Sequence, residues 1–361
     1  MPASTTMHFF LGAHTPRGYL MRFDQLDRGT HDRKLILKGG AGCGKATLIR
    51  RVVERVEADA VELIHCPADP ASLDGAILSR GDRRMVIFDG TPPHALEPRY
   101  PGVVETLLDL GEGLDERVLA GEAGAILALA DRERELTGRI HRFLAAAGAL
   151  LGDTAQLALR AVDAGKLERF AERLCRRELT TGAGAAERVR FLTALTAEGV
   201  VLAGDTPGRL CERIYPIDDP YGAVSRLLLE GIRQRALARD YAVISCFCPM
   251  APFAGLEHLF IPEAGVGFVT RRRMHPDLPS ELRPINGRRF LDMETLGLRR
   301  QRVGFNRRAV QELLGEASRL FGEMAAVHAA LEARYRRAMD DSDADRLTDR
   351  ACALAERTLA G

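Results

Sequence analysis

Between residues 33 and 55 the chain passes from a short apolar run into a glycine-rich turn and then into a helical pattern, a succession that few folds accept. R-K-L-I-L-K, Arg33 to Lys38, reads as a short buried strand with Leu35, Ile36 and Leu37 at its centre. G-G-A-G-C-G-K-A-T follows from Gly39 to Thr47, and then L-I-R-R-V-V-E-R-V with helical spacing. Glycines at 39, 40, 42 and 44 permit backbone angles that turn successive N–H groups inward as an anion-binding nest. The following helix adds its N-terminal dipole, and Lys45 is placed to reach the β- and γ-phosphates of a nucleotide. Strand, loop and helix together are the context of a phosphate-binding P-loop. The expected nucleotide contacts are Gly39, Gly40, Ala41, Gly42, Cys43, Gly44, Lys45, Ala46 and Thr47.

The loop departs from its pattern at Ala46, where a Ser or Thr hydroxyl would ordinarily bind Mg²⁺. Thr47 keeps a hydroxyl, but about 100° further round the helix, so it does not simply replace the missing one. Nucleotide binding with weakened metal coordination and slow turnover is the expectation. The partner strand is Arg84-Met85-Val86-Ile87-Phe88-Asp89, which makes Asp89 the expected Mg²⁺ holder. No glutamate follows it. Asp69, Asp74, His94 and Glu97 fall in loops where open α/β sheets place ligands, and His94 is the first choice among them for a role near the γ-phosphate or substrate. Cys43, beside Lys45 and a helix N-terminus, is read as a small filler, with a lowered thiol pKa and a redox role as the alternative.

Self-comparison at an offset of about 180 residues reveals a second copy. Phe10 to Gly18 matches Phe191 to Gly199, Cys66 to Pro70 matches Cys248 to Pro252, and Leu73 to Leu78 matches Leu256 to Ile261. The second loop then lies near Ile214 to Ser225. There Gly222 and Ser225 survive, Ala223 takes the lysine position, and Asp218 and Asp219 enter where carboxylates would repel phosphate. The strand Val266 to Thr270 lacks the aspartate. Each half ends in helical sequence, Ala125 to Leu179 and Val310 to Ala360, with hairpin breaks expected at Asp153-Thr154 and Asp340-Asp341. The predicted fold is α/β: tandem duplicated P-loop NTPase domains at 1–185 and 186–361, mainly parallel sheets flanked by helices. Each domain is expected to carry its own helical hairpin, and the second a degenerate nucleotide site.

Composition excludes some classes. A net charge of +1 argues against a chain built throughout to coat nucleic acid or an anionic membrane. The start of the chain has no basic segment leading into a long apolar core, the longest apolar run (Phe143 to Gly152) is about half of a bilayer crossing, and the seven cysteines are scattered. A reduced, cytoplasmic protein without membrane attachment is expected. Only four lysines occur, Lys34, Lys38, Lys45 and Lys166, and three of them surround the glycine loop. From Arg271 to Arg308 there are eleven arginines and four acids (Asp277, Glu281, Asp292, Glu294), including Arg271-Arg272-Arg273, Arg288-Arg289 and Arg307-Arg308. A solvated face is the leading reading. A polyanion surface for nucleic acid or a phosphorylated ligand comes second, and an arginine finger from Arg271 third.

With these residues in hand, the chain resembles a little-characterised family of bacterial, duplicated P-loop ATPases. The resemblance rests on H-F-F-L-G-A-H-T-P-R-G from His8, L-K-G-G-A-G-C-G-K-A-T from Leu37, C-P-A-D-P-A-S-L-D-G from Cys66, D-G-T-P-P-H from Asp89 and L-E-H-L-F-I-P-E from Leu256. It implies a tandem P-loop fold and ATP binding at Gly39 to Thr47 and Asp89. Family members commonly have G-K-S-T and often keep a second P-loop, so Ala46 and the altered second loop are departures. The function expected is ATP binding with slow, Mg²⁺-dependent hydrolysis, with Lys45, Asp89 and His94 as its catalytic residues, coupled to a protein partner or a conformational change. The alternatives are a P-loop phosphotransferase and a non-catalytic, nucleotide-regulated binding module.

Overall fold

Strands whose side chains are buried on both faces read as continuous apolar runs, and Leu35-Ile36-Leu37 and Met85 to Phe88 become the middles of two neighbouring buried strands. The structure is a computed structural model and describes residues 5–26, 32–252, 255–272, 275, 283–340 and 344–360. Arg273, Asp277, Glu281 and Asp341 lie outside the described residues.

The first sheet contains β1 (Thr5–Phe9), β4 (Asp32–Lys38), β5 (Ala60–His65), β6 (Leu73–Arg80), β7 (Arg83–Asp89) and β8 (Glu105–Asp109). Its order is β1-β5-β6-β7-β4-β8, with β6 antiparallel to β5 and β7 and the other neighbours parallel. The second contains β9 (Ala186–Arg190), β12 (Arg213–Asp218), β13 (Ala242–Phe247), β14 (Leu256–Ile261), β15 (Val266–Arg271) and β16 (Ile285–Asn286). Its order, β9-β13-β14-β15-β12-β16, and its strand directions repeat the first. Both sheets are therefore mixed, and their matching order is compatible with a duplicated α/β fold.

The matched segment Phe10 to Gly18 forms the hairpin β2 (Gly12–Thr15) and β3 (Gly18–Met21), and its copy forms β10 (Thr193–Thr196) and β11 (Gly199–Leu202). Thr15 Oγ1 donates to the Gly18 carbonyl and accepts from Arg17 N. Thr196 does the same with Gly199 and Glu198.

Among the described residues there are eight α-helices. They are α1 (Lys45–Arg55), α2 (Glu116–Leu159), α3 (Ala164–Glu178), α4 (Thr206–Leu210), α5 (Val224–Leu237), α6 (Met293–Gly297), α7 (Arg300–Arg337) and α8 (Ala344–Ala360). No helix among the described residues is long and apolar enough to cross a membrane.

The helices correct two expectations. The break at Asp153-Thr154 is absent, because α2 runs on to Leu159. Thr154 Oγ1 donates to Leu150 O one turn back, and Asp153 accepts from Arg302 and Asn306, so neither side chain competes for the helix backbone. The chain turns at residues 160–163 instead, where Asp163 caps α3 by accepting from Lys166 N. At the other site Asp340 does lie beyond the end of α7.

Nor do the terminal helices cover their own sheets. Leu347, Ala351, Cys352, Ala355 and Leu359 of α8 share a core with Leu35, Leu37, Ile49, Val52 and Ile87. Leu167, Ala171, Leu174 and Cys175 of α3 share one with Leu228, Ile232, Leu259 and Phe268. Each helix thus buries its i, i+4 stripe on the sheet of the other half. The compact units follow this exchange: Met1–Gly12, Met21–Arg139 and Leu320–Gly361 form the first, Ala13–Leu20 and Ile140–Arg319 the second. They differ from the 1–185 and 186–361 halves of the repeat.

Candidate functional site

In the first unit, β4 ends at Lys38 and the glycine loop runs to Gly44, the N-cap of α1. Gly42 and Gly44 adopt φ of 73° and 82°, left-handed values that disfavour a side chain there. Lys45 opens the helix, and its Nζ donates to Gly39 O at 3.0 Å and Gly40 O at 2.7 Å. Asp89 ends β7, which lies parallel to β4 with Leu37 opposite Asp89. Its Oδ2 is 3.7 Å from Lys45 Nζ, and its Oδ1 accepts from Thr91 N and Thr91 Oγ1. The register of β4 against β7 thus joins the two residues that the sequence singles out most strongly.

The other candidates divide. His94 and Asp74 are both buried, with His94 Nε2 3.5 Å from Asp74 Oδ1. Burial alone would lower the His94 pKa, but the Asp74 carboxylate, together with the charge and the backbone of Asp89, raises it above the ordinary histidine value. Asp69 is exposed and accepts from Ala71 N. Glu97 holds Lys38 Nζ at 2.5 Å, and the same Nζ donates to Gly90 O. Thr47 is exposed and Ala46 half-buried. Cys43 is buried, and burial pushes its thiol pKa up, outweighing the pull of Lys45. The lowered thiol pKa considered from its neighbours is not what the structure gives, because the loop packs the sulfur inward.

Three neighbours of the loop escaped the sequence reading. Asp109 ends β8, on the other side of β4, opposite Lys38, and accepts from Gly111 N at 2.7 Å. Its signal was present, since E-T-L-L-D is a second apolar strand ending in aspartate. Tyr335 and Glu332 of α7 carried none. A Cβ on Gly40 would fall 2.7 Å from the Tyr335 ring, and one on Gly42 would fall 2.8 Å from Glu332 O. A helix almost 300 residues away in sequence therefore closes on the loop.

The corresponding segment of the second unit is built differently. Its loop between β12 and α5 is one residue shorter, and Val224, not Ala223, opens the helix as Lys45 does; Ala223 is the N-cap. Asp219 is buried, and its carboxylate accepts from Tyr221 N, Gly222 N, Ser225 N and Ser225 Oγ at 2.8–3.1 Å. An internal anion occupies the amides that a phosphate would need. Asp218 is bound to Arg271 at 2.8 Å. Elsewhere in the basic stretch, Arg289 lies over the Phe170 and Phe290 rings, and Arg302 pairs with Asp153.

In the first loop Lys45 is the side chain that could hold a phosphate. Among the described residues no group of three or more His, Cys, Asp or Glu side chains is arranged to hold a metal. A cation there would rest on Asp89 and on the phosphates themselves, as Mg²⁺ commonly does. In comparisons with family models, curated proteins and solved structures the chain matches none.

Proposed function

We propose that the first unit binds a nucleoside triphosphate, ATP in the first instance, and hydrolyses it slowly. The observation that carries this reading is the apposition of Lys45, at the head of a helix behind a glycine loop, with Asp89 at the end of the adjacent parallel strand, 3.7 Å away. Lys45 now spends its donors on Gly39 O and Gly40 O, and these bonds exchange for phosphate oxygens when a ligand enters. A divalent cation bound with the nucleotide supplies neutralisation of the phosphate charge, with Asp89 as its carboxylate. His94, kept beside Asp74, is a proton-holding group near Asp89. The missing hydroxyl at Ala46 weakens the cation's hold and slows turnover.

A second reading, a nucleotide-regulated module without catalysis, is favoured by Ala46 alone. Equilibrium binding and turnover of the full chain and of Lys45→Ala, with and without Mg²⁺, separate the possibilities. Loss of ATP affinity by about 10-fold or more in Lys45→Ala is expected for a charge-assisted phosphate contact. Unchanged affinity would sink the assignment, and binding without turnover would favour the module.

A further inference from the structure

The second unit holds a pocket of about 380 Å³ where the carboxyl ends of β12, β15 and β16 converge. Asp218, Asp219, Pro220, Arg271, Arg272, Asn286 and Arg288 line it. Open α/β sheets place their ligands at such strand ends, and the volume is that of a small-molecule site.

The lining charges divide into those already matched and those left over. Asp219 is satisfied by three amides and a hydroxyl, and Asp218 by Arg271. Arg272 lies against Gly222, its Nη2 3.0 Å from where a Cβ would stand; Asp219 and Glu257 act on its charge, but its Nε and Nη2 are buried without an acceptor among the described residues. Nearby Arg226 also buries its Nε unbonded among the described residues, and its like charge acts on Arg272. Buried guanidinium nitrogens without acceptors are costly, and each calls for an explanation. Arg288 is exposed at the rim.

We propose that this pocket is a second anion site, which takes the phosphomonoester group of a small molecule through Arg272 and Arg288. Three arginines face two carboxylates in the lining, an excess of one positive charge, and the planar forks of Arg272 and Arg288 together suit the three free oxygens of a phosphomonoester. A phosphodiester of nucleic acid offers only two free oxygens to the two forks and is the poorer match. The glycine-loop amides have been given to Asp219, so recognition in this unit rests on side chains.

Calorimetric titration of the full chain in a Lys45→Ala background tests this site without a contribution from the first unit's lysine. The probes are inorganic phosphate, methyl phosphate, dimethyl phosphate and a short single-stranded oligonucleotide. One methyl phosphate per chain is expected, bound about 10-fold or more tighter than dimethyl phosphate, with a similar loss in Arg272→Gln and in Arg288→Gln. Arg288 is exposed, so its variant reports binding even if Arg272→Gln fails to fold. Methyl phosphate affinity unchanged by Arg288→Gln, or an oligonucleotide bound more tightly than methyl phosphate, overturns the proposal. Either result leaves the reading of the Lys45 site intact.

Discussion

Glu257 stands in the second sheet where Asp74 stands in the first: each is the extra residue of a β-bulge. Register slips between Ile64 and His65 against β6, and between Cys246 and Phe247 against β14, leaving Asp74 and Glu257 without a strand partner in each case. Bulges re-aim side chains, and both carboxylates meet a histidine. His94 lies 3.5 Å from Asp74, and His275 lies 3.1 Å from Glu257. Strand register sets Thr270 where Asp89 stands, and each histidine follows that position by five residues. The carboxylate–histidine pair thus occurs in both sheets, whereas the lysine and the aspartate occur only in the first, which places the pair in the shared framework.

Removing either histidine should therefore destabilise the unit that contains it. Glu257 is wholly buried, which would raise its pKa, yet His275 and His258 hold the carboxyl well below the usual range. His275→Gln removes the imidazole 3.1 Å from that buried carboxylate, and a loss of about 3 kcal/mol is expected in denaturant unfolding. A His275→Gln chain as stable as the wild type would show the pair to be incidental.

Gly40 and Tyr335 make a steric test of the cover over the loop. Gly40→Ala places a methyl group 2.7 Å from the ring, which cannot be accommodated without displacement and should cost about 1–3 kcal/mol. Tyr335→Ala removes the obstacle, so the double variant should recover most of the loss attributable to Gly40→Ala. Strict additivity in the double-mutant cycle would mean that the helix does not press on the loop.

Asp219→Ala removes the acceptor of three amides and one hydroxyl. With buried donors left unsatisfied, a loss of about 2–4 kcal/mol is expected, and Asp219→Asn, which keeps one acceptor oxygen, should lose less. Equal losses in the two variants would point to charge rather than to hydrogen bonding.

The glycine loop, its flanking strand and helix, the Asp89 strand and the repeat were legible in the sequence, because each is written in local periodicity or turn chemistry. The exchange of α3 and α8 was not. An i, i+4 apolar stripe such as Leu347, Ala351, Ala355 and Leu359 states that a face will be buried, but not against which of two similar sheets. Tyr335 was hidden for the same reason. Thr154 misled because a threonine that bonds back to Leu150 O sits inside a helix as well as at its end. The bulges at Asp74 and Glu257 depend on strand pairing, which no single-strand pattern reveals.

Ala46→Ser restores a hydroxyl at the helical position next to Lys45. If slow turnover follows from the missing cation ligand, Mg²⁺-dependent ATP hydrolysis should rise by about 10-fold, the scale of one charge-assisted contact. Nucleotide affinity without Mg²⁺ should stay within about twofold. Steady-state phosphate release measures it, and unchanged turnover would point away from Ala46 as the limiting residue.

The last test concerns pH. His328 of α7 lies 3.0 Å from Glu133 of α2 through Nδ1 and 3.7 Å from Glu332 through Nε2. The Glu133 hydrogen bond raises its pKa and burial opposes it; the charges of Glu133 and Glu332 add to the rise, while Lys45 works against it. A histidine with a raised folded pKa contributes stability that is complete below its unfolded value of about 6.5, and that is lost as pH climbs through the higher folded value. The imidazole is 48% exposed, so water screens the pair and the contribution should stay below about 1 kcal/mol. Thermal unfolding of the wild type should weaken as pH climbs above about 6.5, and His328→Gln should flatten this dependence. Because Glu332 packs on Gly42 and Tyr335 on Gly40, the same titration should loosen the cover over the loop, read as faster amide exchange at residues 39–44 at the higher pH in the wild type only. Equal pH dependence of both chains, after correction for the intrinsic exchange rate, would detach His328 from the loop.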